Sequence, residues 1–195
     1  MLNQEILGTF QHLLDAAKRS SDPEPTAMTV STVGDDDRVS TRLVLLKSFD
    51  ERGFCFFTHY DSDKGHQIEA HPQVALCLHW KQLDRPVQVR IEGHAEKLSA
   101  KESDEYFASR ARLSQIGAWA SDQSKTLPDR ATLEQSAAHR EREFEGREVP
   151  RPPQWGGYRV LPDLVEFWYG GKHRLHERVC WRLRDGEWTQ RLLYP

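Results

Sequence analysis

The sequence predicts an α+β protein, a closed antiparallel β-barrel with helices at its edges. Three observations carry this. Short β-branched or alternating segments recur from residue 27 onward, separated by hairpin turn sequences. "VQVRIEG" alternates cleanly, with Val87, Val89 and Ile91 on one face and Gln88, Arg90 and Glu92 on the other. Helical periodicity is confined to the N-terminus and to a few segments among the strands. The chain has 195 residues, a size that suits one domain over 1–195.

In order, Leu2, Ile6, Leu7, Phe10, Leu13, Leu14 and Ala17 recur at helical spacing, so an amphipathic helix occupies about residues 2–20. "SSDPEPT" breaks it. "AMTVSTV", "RVSTRLVLLKSF" and "GFCFFTHY" are strands joined through "GDDD" and "DERG" turns. "SDKGHQIEAHP" is a short capped helix, closed by its proline. "VALCLHW" and "VQVRIEG" are the next strands. "SAKESDEYFASR" opens with a capping box, a Ser followed three residues later by Glu102. "LPDRATLEQSAAHREREFEG" is a helix expected to close at Gly146, and "VPRPPQWGGYRV" is extended. "RLHERVCWRLR" and "EWTQRLLYP" form a last hairpin around Asp185-Gly186.

Composition excludes several classes. A net charge of −3 does not suit a general nucleic-acid binder, so any cationic site is a local cluster. No window approaches the roughly 18 apolar residues needed to span a bilayer. "MLNQEILGTF" has no basic region followed by an apolar run, so no secretion signal is expected. Three scattered cysteines, Cys55, Cys77 and Cys180, argue for a reducing cytoplasm over a disulfide framework. Nine histidines without ligand spacing predict no metal. There is no nucleophile elbow, dinucleotide fingerprint or Walker loop.

Three polar clusters stand out. Arg42, Lys47 and Lys64 gather near a helix start, which suits a phosphate or equally a solvated charged edge. Tyr106, Arg110 and Ser114 follow at steps of four, so a continuous helix would put all three on one face, as a second anion site or an ordinary surface. Arg174, His176 and Arg178 sit at every second position after Trp-Tyr-Gly-Gly, so an extended strand would point them one way.

Several ordered segments together carry a resemblance: "PTAM", "RLVLLK", "FFTHYDSDKGHQIE", "VQVRIEG", "YFASRARLSQIGAWAS" with "QS" after Asp122, "VPRPPQWGGYRV", "EFWYGGKHRLHER" and "RLLYP". Over residues 25–195 the chain resembles the pyridoxamine 5′-phosphate oxidase family. The resemblance implies a split β-barrel binding flavin mononucleotide (FMN), a homodimer with sites at the subunit interface, and O2-dependent oxidation of pyridoxine or pyridoxamine 5′-phosphate to pyridoxal 5′-phosphate. It implies FMN contacts from Arg42, Leu43, Val44, Leu45, Leu46 and Lys47, from Phe57, Thr58, Lys64, Gln88, Gln123 and Ser124, and from Trp168 and Arg178. Lys47, Tyr106, Arg110 and Ser114 would hold the substrate phosphate. Arg174, Leu175 and His176 would face the substrate ring, with Arg174 and His176 as the catalytic pair. The neutral His176 is expected to be able to accept a proton.

The chain departs from the family pattern in four places. Asp63 stands where an Arg is usual, Glu177 replaces the usual Asp, and the "KQLDRPV" loop is longer than in many members. Against longer members that the resemblance suggests, no Arg-rich N-terminal arm is expected. A dimer is also expected because Trp119, Trp155 and several apolar strand residues exceed what one small barrel covers. Two other functions fit the same residues, a phenazine-type flavin oxidase and a non-catalytic FMN or pyridoxal-phosphate carrier.

Overall fold

The computed structural model describes all 195 residues, Met1–Pro195. Helix α1 (Gln4–Arg19) starts at Asn3, whose side chain accepts the Ile6 N–H at 2.8 Å. Its apolar stripe, Ile6, Phe10, Leu13, Leu14 and Ala17, is buried. Phe10 meets Phe49, Phe54 and Trp80 with ring centroids 4.7, 4.9 and 5.9 Å away, so the helix packs against the main core of the barrel.

Nine antiparallel strands follow: β1 (Ala27–Val33), β2 (Val39–Leu45), β3 (Ser48–Asp50), β4 (Gly53–His59), β5 (Gln73–Trp80), β6 (Val87–Lys97), β7 (Trp155–Tyr169), β8 (Glu177–Arg184) and β9 (Glu187–Leu193). The ladder runs β2-β1-β5-β6-β7-β4-β3, with β8 on β7 and β9 on β8. A continuous closed barrel is therefore not what forms. β7 pairs with β6 along its length, while its other edge is shared: β4 takes residues 155–160 and β8 takes 164–169. At about 3.3 Å per residue β7 is roughly 50 Å long, too long for one short partner. The sheet divides where β7 changes partner, and the result is the split barrel. The change sits by a bulge at Glu92/Gly93, where Pro162 lacks a ladder donor and a Cβ on Gly93 would lie 2.1 Å from the Leu161 carbonyl oxygen.

The alternation of β6 holds, with Val87, Val89 and Ile91 buried. The β8–β9 hairpin turns at Asp185 and Gly186, both at positive φ (51° and 85°), as a two-residue hairpin turn requires.

Four helices lie outside the barrel strands: α2 (Asp63–Ala70), α3 (Ala100–Ser109), α4 (Arg112–Ala120) and α5 (Arg130–Glu143). Ser62 caps α2, and Ser99 with Glu102 forms the expected capping box on α3. Helix α5 ends at Glu143, before Gly146, because the chain leaves helical geometry at Phe144 to bury that ring.

Two other expectations fail locally. Tyr106, Arg110 and Ser114 share no helix: α3 stops at Ser109, Arg110 is extended (φ −73°, ψ 149°) and α4 begins at Arg112. Arg174 and His176 lie on no strand either. The pairing of Tyr169 with Glu177 leaves residues 170–176 as the connecting loop, where the two-residue alternation cannot persist. Lys172–Arg174 form a 3-10 turn with His173 and Arg174 at φ 55° and 63°, and only Arg178 is on β8. Trp155 is also not surplus apolar surface, since it is buried in a small second core with Phe107, Ile116 and Phe144. Trp119 is half-buried, and its indole N–H donates to the Pro150 carbonyl at 2.7 Å.

Candidate active site

A cleft of about 940 Å3 opens between β2, the end of β4, the start of α2 and the α3–α4 break. Its walls include Arg42, Leu43, Val44, Leu45, Lys47, Phe57, Thr58, Lys64, Tyr106, Arg110, Ser114, Gln123 and Ser124. Residues expected at two separate anion sites thus line one cavity. A cavity of similar size between α4 and α5 mixes Arg112, Arg142 and Arg147 with Glu141, Glu145 and Glu148, and its Arg112 guanidinium donates to the carbonyls of Phe144 and Arg147.

At one end of the cleft the Lys64 ammonium is buried. It donates to Gln123 Oε1 at 2.6 Å and to the Thr58 and Ser62 hydroxyls at 3.2 Å each. Burial, then repulsion from Arg42, lowers its pKa to about 8, with Asp63 pulling the other way. Arg42 donates to the Thr32 hydroxyl, to the carbonyls of Val30 and Ser40, and to Gln67 Oε1 at 3.2 Å. Burial pushes its pKa down as well, opposed by Asp63. The Asp63 backbone N–H donates to Ser124 Oγ at 3.1 Å, which docks the Gln123–Ser124 turn on the start of α2, and the Asp63 residue itself is exposed.

At the other end, Tyr106 stacks on Phe57 with centroids 3.9 Å apart. The Arg110 guanidinium lies 4.7 Å over the Trp155 ring. Its Nη1 is buried without a hydrogen-bond partner, and burial lowers its pKa. None of Arg42, Lys47, Lys64 and Arg110 takes part in a salt bridge. Four cations line one cleft with no ion-pair partner, one of them with an orphaned donor and with Asp63 the one carboxylate in the lining, a set that suits phosphate groups.

The remaining expected residues lie elsewhere. Leu46 is buried in the barrel core, so its side chain cannot line the cleft. Gln88, Trp168 and Arg178 are neighbours across β6, β7 and β8. The Trp168 and His176 rings are 4.5 Å apart. Arg178 donates to both oxygens of Glu166, at 2.7 and 3.1 Å, which raises its pKa. Arg174 and Leu175 are exposed on the loop. Phe57 pairs with Gly157, and Trp168 lies eleven residues further along β7. At strand rise that is about 36 Å. Within one chain the set forms two clusters.

His176 differs from expectation in one respect. Its Nδ1 accepts the Gly171 N–H at 3.1 Å, so the neutral ring carries its proton on Nε2 and presents a donor outward.

Residues 14–142 match the family model described as pyridoxamine 5′-phosphate oxidase, and residues 155–195 match that of the pyridoxine 5′-phosphate oxidase C-terminal dimerisation region. The chain belongs to the pyridoxamine 5′-phosphate oxidase family. The pyridoxine/pyridoxamine 5′-phosphate oxidase of Xanthomonas euvesicatoria is 54% identical over 100% of this chain and 98% of its own length. That of Myxococcus xanthus is 48% identical over 100% and 94%. Among solved structures, PhzG from Burkholderia lata in complex with tetrahydrophenazine-1-carboxylic acid superposes with a TM-score of 0.88 at 31% identity, covering 98% of this chain and 91% of PhzG. A pyridoxamine 5′-phosphate oxidase-related, FMN-binding protein from Nostoc punctiforme shares the fold at TM-score 0.76 and 16% identity, covering 96% of each chain.

The family motifs in this oxidase-family chain thus fall on the cleft and on the β7–β8 end. Sequence reasoning missed most of the supporting contacts, finding Ser62 only as a helix cap. Thr32 and Gln67 fix Arg42, Ser62 holds Lys64 while capping α2, and the half-polar ring of buried His59 lines the cleft with its pKa lowered by burial and by Lys64 and Arg110. Thr32 and Gln67 lie 35 residues apart, so spacing offers no signal for them. A Ser at a helix start, by contrast, is a readable cap.

Proposed function

We propose that this chain oxidises pyridoxine 5′-phosphate and pyridoxamine 5′-phosphate to pyridoxal 5′-phosphate, using FMN and O2, as a homodimer with each site shared between copies. One observation carries the reading: the four unpaired cations of a single cleft, with Arg110 Nη1 left without a partner. Two phosphate-bearing molecules, cofactor and substrate, account for so much positive charge in one place.

Arg42, Lys64 and Ser124 would hold the FMN phosphate at the start of α2, where backbone N–H groups add to the attraction. Phe57, Thr58, Gln123 and the 43–46 segment would border the rest of FMN, Leu46 through its backbone alone. Lys47, Tyr106, Arg110 and Ser114 would hold the substrate phosphate. Gln88, Trp168, Arg178 and the loop carrying Arg174, Leu175 and His176 lie too far along β7 to close this cleft in their own chain. A second copy would bring them to it, in line with the match of residues 155–195 to a dimerisation region.

FMN held there would supply a two-electron acceptor for the hydride of substrate C4′ that O2 can reoxidise, the hydride and the proton of the substrate O–H or N–H ending together in H2O2. The chain's own task is placement. Arg174 would lie against the pyridine ring and fix its distance and tilt. His176 would donate from Nε2 to a ring substituent. Pyridoxine phosphate then yields the aldehyde directly, while pyridoxamine phosphate yields an imine that water converts to aldehyde and NH3.

The likeness to PhzG favours one second reading, oxidation of a phenazine precursor. The acid bound to PhzG has a carboxylate and no phosphate, so a cleft lined by Arg42, Lys47, Lys64 and Arg110 favours the phosphorylated substrates. The test is a visible spectrum of the purified protein followed by anaerobic pyridoxine 5′-phosphate. Flavin bands that bleach are expected. Flavin bands that persist with both phosphates would overturn the reading, and no flavin binding at all would overturn it at the first step.

A further inference from the structure

We propose that Arg85 is a positioning residue for the substrate-facing loop, gripping both of its stems and so fixing Arg174 and His176. This rests on the reading of the site given above. Residues 170–176 form an exposed connection whose own geometry is demanding. His173 and Arg174 are both at positive φ, and a Cβ on Gly171 would lie 2.0 Å from the Leu175 carbonyl oxygen. Inside the loop, the hydrogen bond from Gly171 N–H to His176 Nδ1 sets the ring.

The outside grip comes from the β5–β6 loop, residues 81–86. Arg85 Nη2 donates to Glu177 Oε2 at 2.7 Å. The same guanidinium lies 4.4 Å over the Tyr169 ring. Tyr169 and Glu177 are register partners, the last pair before the loop. Next to Arg85, the Pro86 carbonyl accepts the Gly170 N–H at 2.7 Å. One short segment therefore holds the exit of β7, the entry of β8 and the first residue of the loop.

The ion pair is half exposed, at 49% and 52%, so it contributes little to the stability of the barrel. Its consequence is positional, since a small displacement of a group that orients a reacting ring costs rate steeply. Arg85→Ala is expected to lower kcat/KM for pyridoxine 5′-phosphate about tenfold. FMN affinity and Tm should stay at the values of the unsubstituted protein. Exchanging the charges, Arg85→Glu with Glu177→Arg, should recover part of the loss that either change causes alone. Amide hydrogen exchange at Gly170 and Gly171 should speed up in FMN-free Arg85→Ala, a readout that needs no turnover. Unchanged kcat/KM in an active enzyme overturns the proposal, and so does unchanged exchange. A loss of kcat/KM that merely follows falling Tm and FMN binding also overturns it, because that marks a structural role. If the unsubstituted protein oxidises neither phosphate, the proposed function fails, and the exchange measurement alone decides whether Arg85 holds the loop.

Discussion

Lys64 and Gln123, 59 residues apart in the chain, meet at 2.6 Å at the start of α2. The ammonium is held by three neutral oxygens and by no carboxylate. A buried cation solvated this way is positioned with no ion-pair partner and only the neighbouring Asp63 to offset its charge, which suits the anion proposed for it.

The lowered pKa of Lys64 makes this measurable. Between about 8 and the ordinary 10.5 the unfolded chain binds a proton that the folded, ligand-free chain has released. This group's contribution to stability therefore rises with pH across that window. FMN affinity should move the opposite way, falling above about pH 8 as the charge that would meet its phosphate is lost. Titrating FMN-free protein with FMN from pH 7 to 10 checks this, and Lys64→Gln should flatten the slope. An unchanged slope in that variant assigns the titration to another group.

Asp63 follows the cap of α2 and is exposed, while its charge is felt by both Arg42 and Lys64. A carboxylate beside a bound phosphate weakens it. Asp63→Arg should tighten FMN by a factor of about 2 to 5 at low salt, less as salt is raised, with kcat at saturating FMN unchanged. Equilibrium titration at two ionic strengths measures it. Weaker binding in the variant would show that the carboxylate supports the Ser124 turn instead.

Arg174 is exposed on the 170–176 loop, away from the barrel core. Arg174→Ala should fold and take up FMN normally yet lose on the order of 100-fold in kcat/KM. Steady-state kinetics alongside an FMN titration separates the two effects. Full activity in the variant removes Arg174 from the site.

The distance along β7 between the Phe57 and Trp168 ends predicts that one copy alone is incomplete. Dilution should release FMN in step with dissociation to monomers, and added FMN should oppose dissociation. Sedimentation with flavin fluorescence follows both quantities together. A monomer that retains FMN and full turnover contradicts a shared site.

Much of this protein is legible in the sequence by itself. Hairpin turns, the capping box at Ser99 and Glu102, and the alternation of β6 are local, set by residues within a few positions of one another, so strands and helices are found in the right order. The ordered family motifs name the cationic and aromatic residues. Spacing alone misleads at two places. Tyr106, Arg110 and Ser114 converge because the chain breaks at Arg110 and turns back toward β4, whereas the four-residue step describes a continuous helix that does not exist. Arg174 and His176 alternate as on a strand but lie in a loop, because the partner of β7 returns only at Glu177. Tertiary structure alone decides that β7 is long enough to take two partners on one edge, which splits the barrel and separates the two clusters of the proposed site. It alone brings Gln67 to Arg42 and Gln123 to Lys64. Such pairs are set by which chain segments the split sheet carries past one another, and no local pattern of residues encodes that path.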